Sequence, residues 1–318
     1  MKILLLGAAG QLGRCVQDAL QDGSYQLVAL TRNDLDLTDS AQLHAALARH
    51  RPEVVINAAA YNAVDRAEFD PDTAYRVNAQ GPAKLAELCL NSDIYLIHFS
   101  TDYVFDGKPQ KAHTLLPVLP GQPLLPGQPP YTEQALTHPL SVYGASKLAG
   151  DRAVLASGCR ATVIRTSWLF SEYGSNFVKT MLRLAGEGER IRVVADQLGC
   201  PTYAGDLAQV VKQLLAWTGQ GGRQRPSGLL HYGGDSVLSW YGFAQQILSR
   251  AEALGLLLQP PKLEPIRASD FNSPAQRPAF SALDSRLLTQ QLSLAASDWQ
   301  CALELVLVRL QSAELQAP

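Results

Sequence analysis

A short apolar run, Lys2–Leu6, breaks into Gly7-Ala-Ala-Gly10-Gln-Leu-Gly13, and a helix-like segment begins there. Little else in a chain restricts its fold so tightly. Glycines let a backbone turn sharply and approach a bound group, while the free N–H groups and dipole at the start of the next helix attract negative charge. A glycine triplet by itself is an ordinary tight turn. Between the first strand and first helix of a parallel α/β chain it marks a dinucleotide site, carried by Gly7, Gly10 and Gly13.

The rest of the first half has that form. Candidate strands at Gln26–Leu30, 54–58, 94–100 and 162–165 alternate with helix-like segments at 13–20, 41–50, 71–91 and 143–156. Nearly continuous apolar strands between helices imply a parallel sheet covered on both faces, the doubly wound, Rossmann-like α/β class. At 318 residues the chain has room for a second, smaller α/β lobe. We expect a dinucleotide-binding domain over 1–167 and a mainly substrate-binding lobe over 168–318, with segments near 202–234 returning to the core. The stretch 107–130 holds seven prolines and three glycines, which suits neither a helix nor a central strand. It reads as a long surface loop without a part in the chemistry. A second loop is expected at 219–228, followed by a strand at 229–232.

Composition removes several classes. Hydrophobic residues make up 47% and charged residues 18%, and the net charge is −2, so neither nucleic acid nor a charged polymer is the expected partner. No run has the length of a membrane span, and the apolar stretch after Met1 is too short for a signal-peptide core. The five cysteines are scattered, without paired spacing, which indicates neither a disulfide framework nor a zinc site. A cytoplasmic protein is expected.

The second strand ends Ala29-Leu30-Thr31-Arg32. An acid at this tip would bond both ribose hydroxyls and favour NAD. We read no carboxylate there. Arg32 offers a fork of donors suited to a 2′-phosphate, so NADPH is expected to be preferred, with NADH still usable. Asp36-Leu37 is positioned to lie beside the adenine, and Asn57-Ala-Ala-Ala60 closes the third strand with small side chains.

The reaction is written in Tyr143-Gly-Ala-Ser-Lys147. Tyr143 and Lys147 are one helical turn apart and project from one face. A tyrosine with its free pKa of about 10 is a poor proton shuttle at neutral pH; an ammonium alongside is expected to lower that value. Tyr143 then gives a proton to a carbonyl oxygen as hydride arrives. Ser100-Thr101-Asp102 ends a buried strand, and the Thr101 hydroxyl is the expected donor that orients the carbonyl oxygen.

Taken together, several segments make the chain resemble the extended short-chain dehydrogenases, and among them the dTDP-4-dehydrorhamnose reductase family. They are the glycine turn, Asn57-Ala-Ala-Ala-Tyr61-Asn62-Ala-Val-Asp65-Arg-Ala-Glu68, Ser100-Thr-Asp-Tyr-Val-Phe105, Tyr143-Gly-Ala-Ser-Lys147-Leu-Ala-Gly150 and Arg165-Thr-Ser-Trp168. The resemblance implies reduction of the C4 ketone of dTDP-4-dehydro-6-deoxy-L-mannose to dTDP-L-rhamnose. It implies that Gly10, Gln11, Leu12, Asp36, Leu37, Ala60, Tyr61 and Asn62 line the cofactor, with Lys147 on the nicotinamide ribose. Thr101, Asp102, Tyr143 and Trp168 would meet the sugar nucleotide, Arg277 would pair with its diphosphate, and Asn78 would organise a relay water near Lys147. Some members form a metal-bridged dimer through a glutamate in the first helix. Cys15 stands at that position, so no metal is expected, and a homodimer stays open. Two alternatives also remain: another nucleotide-sugar reductase or epimerase, or a non-catalytic cofactor-binding subunit resembling the regulatory subunit of methionine adenosyltransferase.

Overall fold

Strands buried on both faces are apolar over most of their length, and the apolar side chains of the central strands here alternate in which layer they join. The computed structural model describes residues 1–108, 129–188, 190–217 and 225–315. The first half runs β1 (Lys2–Leu6), α1 (Gln11–Ala19), β2 (Gln26–Leu30), α2 (Ser40–His50), β3 (Val54–Asn57), α3 (Val64–Ala67), α4 (Pro71–Tyr75), α5 (Gly81–Asn91), β4 (Tyr95–Thr101), α6 (Val142–Ala156) and β5 (Ala161–Thr166). Then come β6 (Leu169–Phe170), α7 (Phe177–Glu187), β7 (Arg190–Val194), β8 (Leu198–Gly199), β9 (Thr202–Tyr203), α8 (Ala204–Ala216) and β10 (Gly228–His231). The chain finishes with β11 (Leu238–Ser239), α9 (Trp240–Ala253), β12 (Lys262–Ile266), α10 (Arg286–Leu292) and α11 (Trp299–Leu315).

Six parallel strands form the main sheet in the order β2-β1-β3-β4-β5-β10, so the expected doubly wound α/β class is the observed one. Ile3, Leu5, Ile56, Ile97 and Ile164 enter one core layer with Val16 of α1, Leu207 and Val211 of α8 and Leu288 of α10. Leu4, Leu6, Val55, Leu96 and Val163 enter the other, with Leu43 of α2, Leu85 of α5 and Val154 of α6. The smaller core gathers Phe170, Met181, Ile191, Phe243, Trp299, Leu303 and Val306, beneath the parallel pair β7 and β12.

The expected helix over 71–91 is not uniformly α. Asp70 caps α4, accepting from the Thr73 amide, and a π-helical turn over Arg76–Gln80 joins α4 to α5. That wider turn carries Asn78, which is buried at 1% exposure. Most of the proline-rich stretch and part of 219–228 lie outside the described residues, while β10 supplies the strand expected at 229–232. Among the described residues no helix is long and apolar enough to cross a membrane. Nor does any group of three or more acidic, histidine or cysteine side chains stand ready for a metal; Cys15 is buried, and burial pushes its thiol up to about 12.

Candidate active site

The glycine turn forms because Gly7 sits at φ +78, and a Cβ there would lie 2.6 Å from the backbone of Ala58 and Ala59. Gly10 donates to the Gly7 carbonyl at 3.0 Å and stands at the N-cap of α1 without a side-chain cap. The first amides of α1 are therefore left for a ligand. Gln11 is committed elsewhere: its amide nitrogen donates to Leu169 at 3.3 Å, and its oxygen accepts from Ser171 at 3.2 Å. Leu12 is buried in the sheet core. The turn is thus tied to the start of the second lobe.

At the tip of β2, Arg32 is exposed, as a phosphate-binding side chain requires. The expectation of no carboxylate there needs correction. Asp34 folds back so that one carboxylate oxygen accepts from the Thr31 amide at 2.9 Å and hydroxyl at 2.6 Å. The acid was missed because it lies three residues past Thr31 and returns through a turn. Asp36 accepts from the amide and hydroxyl of Thr38, both at 2.9 Å, and these bonds, chiefly the backbone one, hold its carboxyl below the usual range. Leu37 is buried, Ala60 and Tyr61 are half-buried, and Asn62 is exposed.

α6 is held by three contacts. Ser141 caps it by accepting from the Gly144 amide at 3.1 Å, and the Val142 amide donates to Glu68 at 2.8 Å. Gly144 lets the helix press on Tyr103, since a Cβ there would come within 2.2 Å of the Tyr103 carbonyl. Tyr143 is consequently buried, edge-on to the Tyr103 ring at 5.8 Å. Burial raises its pKa well above the ordinary phenol value; a hydrogen bond with Thr101 pulls it back only in part. This reverses the expected direction. The Lys147 Nζ donates to the Phe99 carbonyl at 2.6 Å. Burial lowers Lys147 to about 8, opposed by Asp151.

Thr101 is buried at the end of β4 and donates to Asp102 at 3.1 Å. Burial lifts the Asp102 carboxyl to about 7. The Asn78 side-chain amide donates to the Tyr61 carbonyl and the Ser146 hydroxyl, each at 3.0 Å, and its oxygen accepts from the Tyr61 amide at 2.9 Å, which leaves that oxygen one lone pair. It pins the strand-three loop to α6. Thr166 lies beside Thr101 in the sheet register, and Trp168 follows two residues on, half-buried and at φ +44. Arg277 is paired with Asp65 at 2.8 Å and also bonds to Ser273.

Several residues that shape the site were not singled out in the sequence. Asp151 continues the Tyr143 and Lys147 face by another turn and pairs with Arg165 at 3.0 Å. The i+4 spacing from Lys147 was the available signal. Buried His98 meets Asn57 at 3.1 Å, and burial, then Lys147, drives its pKa well down. No local pattern announced it.

A doubly wound sheet with a glycine turn on its first helix and a buried Tyr-x-x-x-Lys beside a strand-end threonine defines an extended short-chain dehydrogenase. The RmlD substrate binding domain matches residues 1–312. A dTDP-4-dehydrorhamnose reductase from Aggregatibacter actinomycetemcomitans is 40% identical over 304 residues, covering 95% of this chain and 97% of that protein. The crystal structure of a dTDP-4-dehydrorhamnose reductase from Clostridium acetobutylicum superposes with a TM-score of 0.84 at 33% identity, over 98% of this chain and 100% of the other. That of the reductase from Bacillus anthracis, in complex with NADP, gives 0.83 at 32% identity, over 97% and 99%. The chain belongs to the dTDP-4-dehydrorhamnose reductase family.

Proposed function

We propose that the chain reduces the C4 ketone of dTDP-4-dehydro-6-deoxy-L-mannose to dTDP-L-rhamnose with NADPH, Tyr143 being the proton donor. The observation that carries this reading is the phenol of Tyr143, buried near the strand-end Thr101 and one helical turn from the buried Lys147. The uncapped amides at the start of α1 and the left-handed Gly7 fit a dinucleotide pyrophosphate. Gly7, Gly10, Gln11, Leu12 and Gly13 hold it, Arg32 takes the 2′-phosphate, and Asp36, Leu37, Ala60, Tyr61 and Asn62 line the remainder. Lys147 holds the nicotinamide ribose. The bound cofactor supplies the hydride.

The residues of the chain do the rest. Thr101 turns its one hydroxyl proton from Asp102 to the C4 oxygen and keeps that oxygen against Tyr143. As that oxygen gains charge it becomes a stronger base than the phenolate, and Tyr143 passes its proton to it. A raised phenol pKa suits this direction, because the proton is retained until the oxygen needs it. Trp168 forms a wall for the deoxysugar, Asp102 meets the sugar nucleotide, and Arg277 answers its diphosphate. In this reading residues 1–167 are the cofactor half and 168–318 mainly the substrate lobe.

The test is NADPH oxidation by the purified protein, followed by absorbance, with the dTDP-4-keto-6-deoxy-L-sugar supplied. Tyr143→Phe is expected to lower turnover by about 100-fold or more, with an unchanged circular dichroism spectrum. Failure of the parent chain to consume NADPH with this substrate overturns the proposal.

A further inference from the structure

Trp168 cannot hold its own conformation. A non-glycine residue at φ +44 is in the left-handed region, where a bulky side chain is strained unless its neighbours enforce it. Two residues far along the chain do so. The Trp240 ring lies parallel to Trp168, with centroids 3.4 Å apart and planes 6° from each other. Against the other face of the ring runs Gly199, where a Cβ would come within 2.6 Å of the Trp168 indole. The two supports are joined, because Leu238 pairs with Gly199 between β11 and β8, and Trp240 opens α9 directly after β11. Ser239 caps that helix, accepting from the Gly242 amide at 3.0 Å. Behind Trp240, Phe177 stands at 4.6 Å and itself stacks on Phe243 in the lobe core.

We infer that Trp240 and Gly199 are positioning residues for sugar-nucleotide recognition: they hold Trp168 as a preformed aromatic wall, so that substrate binding does not have to order it. This rests on the reading of Trp168 as the sugar wall. A flat ring sandwiched between an indole and a glycine backbone offers only its free edge, and the strained backbone fixes where that edge points. Preorganisation of this kind favours binding without touching the reacting atoms. Its signature is therefore a rise in KM for the sugar nucleotide with kcat retained.

The experiment compares Trp168→Ala, Trp240→Ala, Trp240→Phe and Gly199→Ala in the full chain. Near-ultraviolet circular dichroism and KM for each substrate are measured on every variant. Closely stacked indoles give a coupled signal, which is expected to vanish in Trp168→Ala and in both Trp240 variants. Trp240→Ala is expected to raise KM for the sugar nucleotide about tenfold, while kcat and KM for NADPH stay within about twofold. Trp240→Phe keeps a stacking face and is expected to restore most of the KM. Gly199→Ala displaces the ring from the face opposite Trp240, with Trp240 intact, so it is expected to raise the same KM and serves if Trp240→Ala does not fold. If Trp168→Ala raises KM and neither Trp240→Ala nor Gly199→Ala does, positioning is overturned and the wall reading survives. If Trp168→Ala leaves KM unchanged, the wall reading itself fails.

Discussion

Replacing Arg165 with methionine keeps most of the length and apolar stem of the side chain and removes its charge and donors. Its Nε donates to Asp151 at 3.0 Å, and the two side chains are 4% and 0% exposed. The guanidinium also lies over the Phe105 ring, 5.5 Å from its centroid. Methionine leaves the Asp151 carboxylate buried without its countercharge, and breaking a buried pair from one side costs about 3–5 kcal/mol. Unfolding entropy of about 2.1 cal/mol/K per residue over 318 residues turns that into a fall in Tm of about 4.5–7.5 °C. The pH dependence follows from linkage. Burial already raises the Asp151 pKa, with Arg165 the leading opposing influence, so the variant raises it further. A raised carboxyl pKa means the folded state holds the proton longer than the unfolded one, so stability is lost as pH rises through that window. The deficit relative to the parent chain therefore grows as pH rises and narrows on acidification, as Asp151 takes up its proton. Asp151→Leu combined with Arg165→Met removes both charges and is expected to recover most of the loss. Scanning calorimetry across pH reads all of this. A single variant within about 1 °C of the parent, or a double variant as unstable as the summed singles, refutes the reasoning.

Other perturbations act on binding and on pH. Gly7→Ala places a Cβ at φ +78 against the Ala58 backbone, and is expected to cost about 1–3 kcal/mol and to raise KM for NADPH in steady-state kinetics; an unchanged KM contradicts the turn's role. Arg32→Ala is expected to raise KM for NADPH more than that for NADH, and an equal effect on both removes the 2′-phosphate assignment. Lys147 carries its proton below about 8, so kcat/KM for NADPH is expected to fall as pH rises through that value. Asp151→Asn deletes the group that holds the lysine up and moves this limb to lower pH; a limb that stays in place shows that Lys147 is not the group titrating.

The central sheet was legible because strands covered on both sides carry no polar phase to misread. Leu4 and Leu5 enter opposite layers, yet both are apolar, so the run declares a buried strand whichever way it faces. The second lobe offered no such run. β6, β8, β9 and β11 are two residues each, too short to display a period, and they are defined by partners distant in sequence. The π turn over Arg76–Gln80 was equally hidden, because its cause is tertiary: Asn78 must reach both Tyr61 and Ser146.

The nearness of Tyr143 to Lys147 was legible in the sequence, and their electrostatics less so. Spacing of four brings Tyr143 and Lys147 to one helix face, but it does not say where a flexible Nζ ends. A carbonyl from β4 captures it, and the phenol is left to the consequences of burial. Arg277 shows the same limit. Its charge was visible in the sequence, whereas its partner Asp65 lies 212 residues away. The reversal at Tyr143 nonetheless sharpens the proposed chemistry. A phenol lowered toward neutrality would lose part of its proton at rest and act as well in oxidation as in reduction. One held high by burial keeps its proton until an oxygen already gaining charge takes it, which is what the proposed reduction asks of Tyr143.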